Sequence, residues 1–294
     1  MAGHLGAAVV AGYFIGEDHS ELPDGVFKGI EGELDRVIGG EEAIWFNAKK
    51  AGVTATDLFK PMPSQQADAK SIASIAKALE NNVGRLRQSG HNVIFAAIAL
   101  RALHEHTEYA TPATVTGIRQ LISAFNKVSP GRGYYGKEKG WLTGNQVSLS
   151  SDATFPAYKN LTQLAQTTIS EVIAHSATRK QGFGGLWHII NHAAAITELN
   201  RFGYKRLAQA ALPAHHQHMQ LWRSLPNVEQ ELGPVQKSDR DPRDPEYWTG
   251  MLKRDQARLT HRIKTIYGFF TLLAYVEDGS TRKQAEAAFL NLMA

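Results

Sequence analysis

Residues 90–112 read GHNVIFAAIALRALHEHTEYATP, and this stretch decides the fold. Its apolar side chains, Val93, Ile94, Ala97, Ile98 and Leu103 among them, recur at helical rather than alternating spacing. A histidine stands beside the glycine that opens the helix, and small residues (Ala96, Ala97, Ala99) fill its middle. A polar turn at 105–110 closes it. Thr111 can then cap a second helix, and Pro112 costs nothing in a first turn whose N–H has no partner anyway. The pattern is a helical hairpin. One such pair cannot bury its apolar face alone and must stack on others.

The same grammar recurs outward from there. Gly3-His4 opens an apolar helix, residues 17–22 turn, and Pro23 starts a second helix. Asn191-His192 and Thr260-His261 lie near the starts of comparable helices, followed by helical segments at 204–223 and 281–293. In chain order the periodicity predicts helices at 3–15, 23–38, 67–88, 91–104, 112–127, 157–177, 186–202, 204–223, 247–276 and 281–293. Gly203 reads as a stop and Ser280 as a cap. Gly6-Ala7-Ala8 and the run Ala193-Ala194-Ala195 permit close helix approach, as an inner layer requires. The expected architecture is all-α: one domain over residues 1–294, with about four hairpin repeats in a curved or closed ring, an α/α barrel or partial toroid.

Composition narrows the function. Apolar residues are 43% and charged residues 20% of the 294, which excludes a wholly disordered chain. There is no cysteine, which excludes disulfides, thiol nucleophiles, zinc fingers and cysteine-held clusters. The net charge of +4 is spread along the chain, so no nucleic-acid partner is expected. The longest apolar stretches, 93–103 and 266–276, fall short of the roughly 20 residues a membrane span needs. The start lacks a positive n-region, so it reads as a first helix rather than a signal peptide. A soluble, cytoplasmic protein is the expectation.

The 12 histidines carry the functional signal. His4, His91, His192 and His261 sit near the starts of apolar helices, and in a ring they would converge at one end. His188 and His192 are four apart, and His215 and His218 three apart, so each pair shares a helix face. These seven are the candidate metal ligands, for a divalent transition metal such as Zn, Fe, Cu or Mn. The segment His188-Ile-Ile-Asn-His192 lacks the glutamate of HExxH, and carboxylates are scarce in these helices, which speaks against a carboxylate-bridged di-iron centre. His19, His104, His106 and His175 lie in turns or at helix ends and read as solvent-facing.

A metal-free reading uses the same residues. His192 is the candidate general base, Tyr267 the acid, and Asn191 and Asn92 the groups that hold a carbonyl or carboxylate. Arg262 and Lys264 are candidate cations that lower the Tyr267 pKa, with Lys264 also placed to touch substrate. The glycine-rich segment 131–144 could cover a pocket, with Tyr134, Tyr135 and Trp141 offering ring faces to a sugar or another planar substrate. Its GRGYYG lacks the spacing of a phosphate loop. Residues 182–185 place glycines ahead of a helix, either as an anion site or as a tight turn.

The Asn191-His192 pair, taken with a tyrosine and an arginine, resembles the active sites of polysaccharide lyases built on α/α toroids. The likeness covers four residue types and the expected architecture. It implies an asparagine that neutralises a uronate carboxylate, and a histidine and tyrosine that handle the α-proton and the leaving group. The expected function is therefore an enzyme acting on a small polar or carbohydrate-like substrate by elimination, isomerisation or hydrolysis, with or without a metal. The alternatives are a non-catalytic helical-repeat scaffold that binds a partner in its groove, or a histidine-ligated metal or haem redox protein.

Overall fold

The structure is a computed structural model that describes residues 3–42, 50–149, 155–251 and 259–294. Within them run ten helices of eight residues or more: α1 (Gly3–Asp18), α2 (Asp24–Ile38), α3 (Ala73–Glu80), α4 (His91–Glu105), α5 (Pro112–Ala124), α6 (Leu161–His175), α7 (Gly185–Arg201), α8 (Lys205–Arg223), α9 (Leu259–Leu273) and α10 (Gly279–Phe289). The described strands are β1 (Arg132–Tyr134) and β2 (Trp141–Thr143), an antiparallel pair. The fold is all-α, and no helix of the described residues is long and apolar enough to cross a membrane.

Burial separates the helices into two kinds. In α7 every residue from His188 to Leu199 is buried, and α4 and α9 are buried nearly all round. A helix without a polar face must lie inside. In α5 only Val115 and Ile122 are buried, and in α10 only Ala285 and Phe289. Such helices cover one side of the molecule and meet water on the other. The buried helices pack on one another in sequence: α1 on α9, α9 on α7, α7 on α4, and α4 on α1. Outside them, α2 lies on α1, α5 on α4 and α8 on α7, while α10 lies on α6. Small residues set the inner spacing. A Cβ on Gly12 would stand 2.6 Å from Leu34 of α2, and one on Gly268 would stand 2.9 Å from Asn191 Oδ1 of α7.

Several ends differ from the periodicity. The expected helix at 67–88 is a 3₁₀ turn (Ala69–Ile72) leading into α3, which stops at Asn81. Beyond it, the Asn82 amide donates to the Ile122 carbonyl and to Asn126 Oδ1, which fixes a turn against α5. The expected helix at 247–276 is a short turn (Pro245–Trp248) and then α9, with residues 252–258 outside the described set. Asp278, not Ser280, caps α10, accepting from the Thr281 N–H at 2.6 Å. Thr111 caps α5 as expected.

The segment at 131–144 is a β-hairpin, and it seals the ends of two buried helices. Gly133 pairs with Gly182, the Phe183 N–H donates to the Arg132 carbonyl, and the Ser89 N–H donates to the Pro130 carbonyl. The hairpin backbone therefore clamps the turns that lead into α4 and α7. Those two turns also hold the non-glycine residues with left-handed backbone among the described residues, Gln88, Ser89 and Phe183. Such backbone costs about 1–3 kcal/mol per residue and persists only where the surroundings enforce it.

Candidate functional site

Helices α1, α4, α7 and α9 each deliver an imidazole to one place. The His4 ring centre lies 4.6 Å from His91, 4.5 Å from His261 and 6.3 Å from His188. His188 lies 4.6 Å from His91 and 5.4 Å from His261. His4, His91 and His188 are buried, as is Lys264 from the next turn of α9, whose ammonium donates to His4 Nδ1. Three of the four helix-start histidines thus meet as expected. The α7 member is His188 rather than His192, a correction set by helix geometry. Four residues along α7 carry His192 about 6 Å deeper on the same face.

His192 joins a second group beside the first. Its ring centre is 5.2 Å from His215 and 5.6 Å from His218, both on α8. Hydrogen bonds assign the tautomers here. His218 Nε2 donates to the Phe183 carbonyl at 2.7 Å, so its Nδ1 is an acceptor. His192 Nδ1 donates to that atom at 3.3 Å, which leaves His192 Nε2 with a lone pair. His215 Nε2 donates to the Ile189 carbonyl, and its Nδ1 accepts from Tyr158. In the first group, His91 Nδ1 donates to the Gln88 carbonyl, which leaves a lone pair on Nε2. His91 Nε2, His192 Nε2 and His188 Nδ1 are all buried without a hydrogen-bond partner. A buried acceptor left unmade costs about 1–3 kcal/mol, so three together are an anomaly.

Glycines shape both groups. Gly90 and Gly184 are the residues before α4 and α7, both left-handed. A Cβ on Gly90 would stand 2.6 Å from the His192 ring, and one on Gly184 would stand 2.2 Å from the His188 ring. The segment 182–185 is thus a tight turn with positive φ at each residue, and its glycines let imidazoles lie against the chain.

Electrostatics hold the cluster neutral. Burial comes first, and neighbouring cations and imidazoles second, in pushing His188 and His192 well below the ordinary histidine value. His4 shifts the same way, through burial and then Lys264. His91 falls to about 3, His215 to about 3 and His218 to about 4, in each case chiefly by burial. Burial lowers Lys264 to about 7.

The other expected site residues lie elsewhere. Tyr267 is two turns below His261's level, on α9, and its hydroxyl donates to Glu198 at 2.9 Å and accepts from Arg101 at 2.9 Å. Burial and Glu198 raise its pKa well above the ordinary value, the reverse of what an acid poised near neutrality needs. Arg262 points away, to the Tyr247 hydroxyl and the Ala294 carbonyl, and does not act on Tyr267. Asn92 faces Asn82. Asn191 donates to Thr265, and its buried Oδ1 has no partner. It lines a cavity of about 20 Å³ with Lys264, Glu198 and Tyr267, which is room for one water and not for a sugar. Tyr134 donates to Glu231, Tyr135 pairs with Ser224, and Trp141 is exposed beside Arg132. These three rings belong to the hairpin, and the contacts described for them are with Glu231, Ser224, Arg132 and one another rather than with an imidazole.

Below the small cavity lies a buried polar network that sequence reasoning missed. Arg101 is 1% exposed, donates to both Asp18 oxygens at 2.6 and 2.8 Å, and reaches Glu198 and Tyr267. Its members come from α1, α4, α7 and α9. Their only sequence signal is a charge inside an otherwise apolar helix.

Among the described residues no three histidine, aspartate or glutamate side chains stand, as the rings are turned, in position to hold a metal ion. Compared with known proteins, the chain matches no family model, no curated protein and no solved structure. The likeness to toroidal lyases therefore rests on helical architecture alone.

Proposed function

We propose that the chain is one domain in which four helical hairpins close into a ring, and that His4, His91, His188 and His261 at one end of that ring form a metal centre. The observation that carries this reading is a pair of buried imidazole nitrogens that no protein group satisfies: His91 Nε2, whose lone pair is fixed by the bond its Nδ1 makes, and His188 Nδ1. His91 also has the support that metal-binding imidazoles have, its other nitrogen donating to a backbone carbonyl.

Spacing supports the same reading. A metal about 2.0–2.1 Å from a ring nitrogen stands roughly 3.2 Å from the ring centre, so neighbouring ligand rings lie about 4.5–5.2 Å apart. Around the order His4, His91, His188, His261 the separations are 4.6, 4.6, 5.4 and 4.5 Å. Three of the four separations are at ligating distance, the His188–His261 one is about 0.2 Å longer, and the rings must turn in place to aim their nitrogens. An all-imidazole set suits zinc or copper over magnesium, calcium or manganese.

Protonation favours metal binding over metal-free acid–base catalysis. A general base works best with a pKa near the working pH, and His91 at about 3 is far from it. A ligand must instead be neutral, and burial favours the neutral form of His4, His91 and His188. Any reaction on a small polar substrate would thus be metal-assisted, with catalysis by His192, Tyr267, Asn191 and Asn92 the weaker proposal.

The test is zinc binding to protein stripped with chelator, followed by calorimetry. One equivalent per chain is expected, and the double variant His91→Ala, His188→Ala should lose it while keeping its helical circular dichroism. His19→Ala, a solvent-side histidine paired with Glu21, should bind as the parent does. If the double variant bound zinc unchanged, or the parent bound none, the proposal would fall.

A further inference from the structure

A second cavity opens where α1 and α4 part. It is a groove of about 800 Å³, within the range of small-molecule sites. It follows α1 from Gly3 to Phe14, about 16 Å at the rise of a helix, so it is long and narrow. Its floor is apolar, with Ala7, Val10, Ile98 and Ala99 facing one another. Gly6 leaves it open: this glycine sits inside α1, and a Cβ built there meets nothing within 4 Å. A mid-helix glycine costs about 1 kcal/mol against alanine, and no packing neighbour requires it here.

The two ends differ. The inner end stops at Leu121 and Phe95, and the Phe95 ring packs 5.3 Å from His4 and 5.1 Å from His91. The outer end is aromatic and acidic. Tyr13 is 46% and Tyr109 is 63% exposed, and the His106 ring lies between them, at 5.3 and 6.2 Å. Glu17, Glu105 and Glu108 surround Tyr13 and, after desolvation, hold its phenol above the usual pKa. Arg101, behind Phe14, is committed to Asp18 and Glu198.

We propose that this groove binds a single aliphatic chain bearing a cationic headgroup, the chain lying along α1 over Gly6 and the headgroup at Tyr13, Tyr109 and Glu108. The length and apolar floor select the chain. Exposed ring faces with carboxylates beside them select a cation and repel an anion. The site is distinct from the imidazole centre and does not depend on a metal being bound there.

Titration calorimetry with dodecyltrimethylammonium, below its micelle concentration and in the presence of chelator, tests this. One-to-one binding is expected, at least tenfold tighter than for dodecyl sulfate. Gly6→Leu should weaken it at least tenfold, because the new side chain occupies the groove. The variant should fold, since leucine favours the helix and a Cβ at this position stands in open space. Glu108→Gln should weaken the ammonium and not the sulfate. Equal binding of both probes, or an affinity untouched by Gly6→Leu, would mean surface adsorption and overturn the proposal. So would a concentration-dependent dimer abolished by Gly6→Leu in a protein that binds neither probe, since a second copy would then be the occupant.

Discussion

Acidifying the solution from pH 7.5 to 5 should unfold this protein, and the size of the effect follows from its buried imidazoles. His91, His215 and His218 titrate at about 3, 3 and 4 in the fold. In the unfolded chain each returns to about 6.5. The folded pKa is the lower one, so the unfolded state binds more protons and stability falls as the pH falls. It is at its full value above about 6.5 and is lost from there down toward the folded values. At pH 5 each histidine contributes a loss of about 1.36 kcal/mol times 1.5 pH units, or about 2 kcal/mol. Three of them remove about 6 kcal/mol, comparable to the whole stability of an ordinary domain, about 5–15 kcal/mol. His4, His188 and His192 shift the same way and add to it. Asp18, the carboxylate bound to Arg101, does not confound this window. Desolvation raises Asp18, but the Arg101 hydrogen bond and charge outweigh it and leave it below its usual value. Urea titrations followed by circular dichroism between pH 7.5 and 5, in chelator, read the slope directly. It should approach three or more protons per chain near pH 5.5. Stability that stays flat to pH 5 would show that these imidazoles are charged or solvated in the fold, and the reasoning would fail.

Further expectations concern the supports of the two polar regions. Arg101→Met should cost about 3–5 kcal/mol in urea melts, because buried Glu198 loses its buried cation and keeps only the half-exposed Arg201 at 3.5 Å. Adding Glu198→Gln should recover part of that loss. Gly184→Ala should cost clearly more than Gly185→Ala. Both need positive φ, worth roughly 1–2 kcal/mol, but only the first adds a contact at 2.2 Å with the His188 ring. Equal losses would show that the ring is not pressed against the chain.

Helical period and start signals made the helices legible: α4 and α7 each follow a left-handed glycine, and a histidine stands in or near the first turn. His4, His91 and His261 meet because each stands at the same depth in its own hairpin. For α7 the dipeptide Asn191-His192 looked equivalent to Gly90-His91. The equivalent depth is in fact set by where the left-handed turn at Gly184 ends, and that puts His188 in register. No propensity shows this, since the turn is fixed by pairing with the hairpin at Gly133. The hairpin itself was hidden for a related reason: strands of three residues carry no readable period. The Arg101 network was hidden because Asp18, Arg101, Glu198 and Tyr267 are brought together only by the packing of α1, α4, α7 and α9.

The packing of α1, α4, α7 and α9 also creates an electrostatic problem that the metal proposal must meet. The described starts of α4 and α7 lie beside the imidazoles, and a helix start is equivalent to about half a positive charge. Lys264, brought by burial to about 7, adds a cation when protonated, and none of the four ligands is a carboxylate. A dication placed there needs an anion as a further ligand. Zinc should therefore bind more tightly with azide present. Lys264→Met should tighten it too, on the order of tenfold, since a charge a few ångströms away is worth well over 1 kcal/mol at an effective dielectric near 20. Were Lys264 instead to serve as a neutral amine ligand, the same substitution would weaken zinc binding and azide would compete with it. Calorimetry on the parent and Lys264→Met, each with and without azide, separates the two arrangements. Affinities that ignore both changes would place the zinc away from these helix starts.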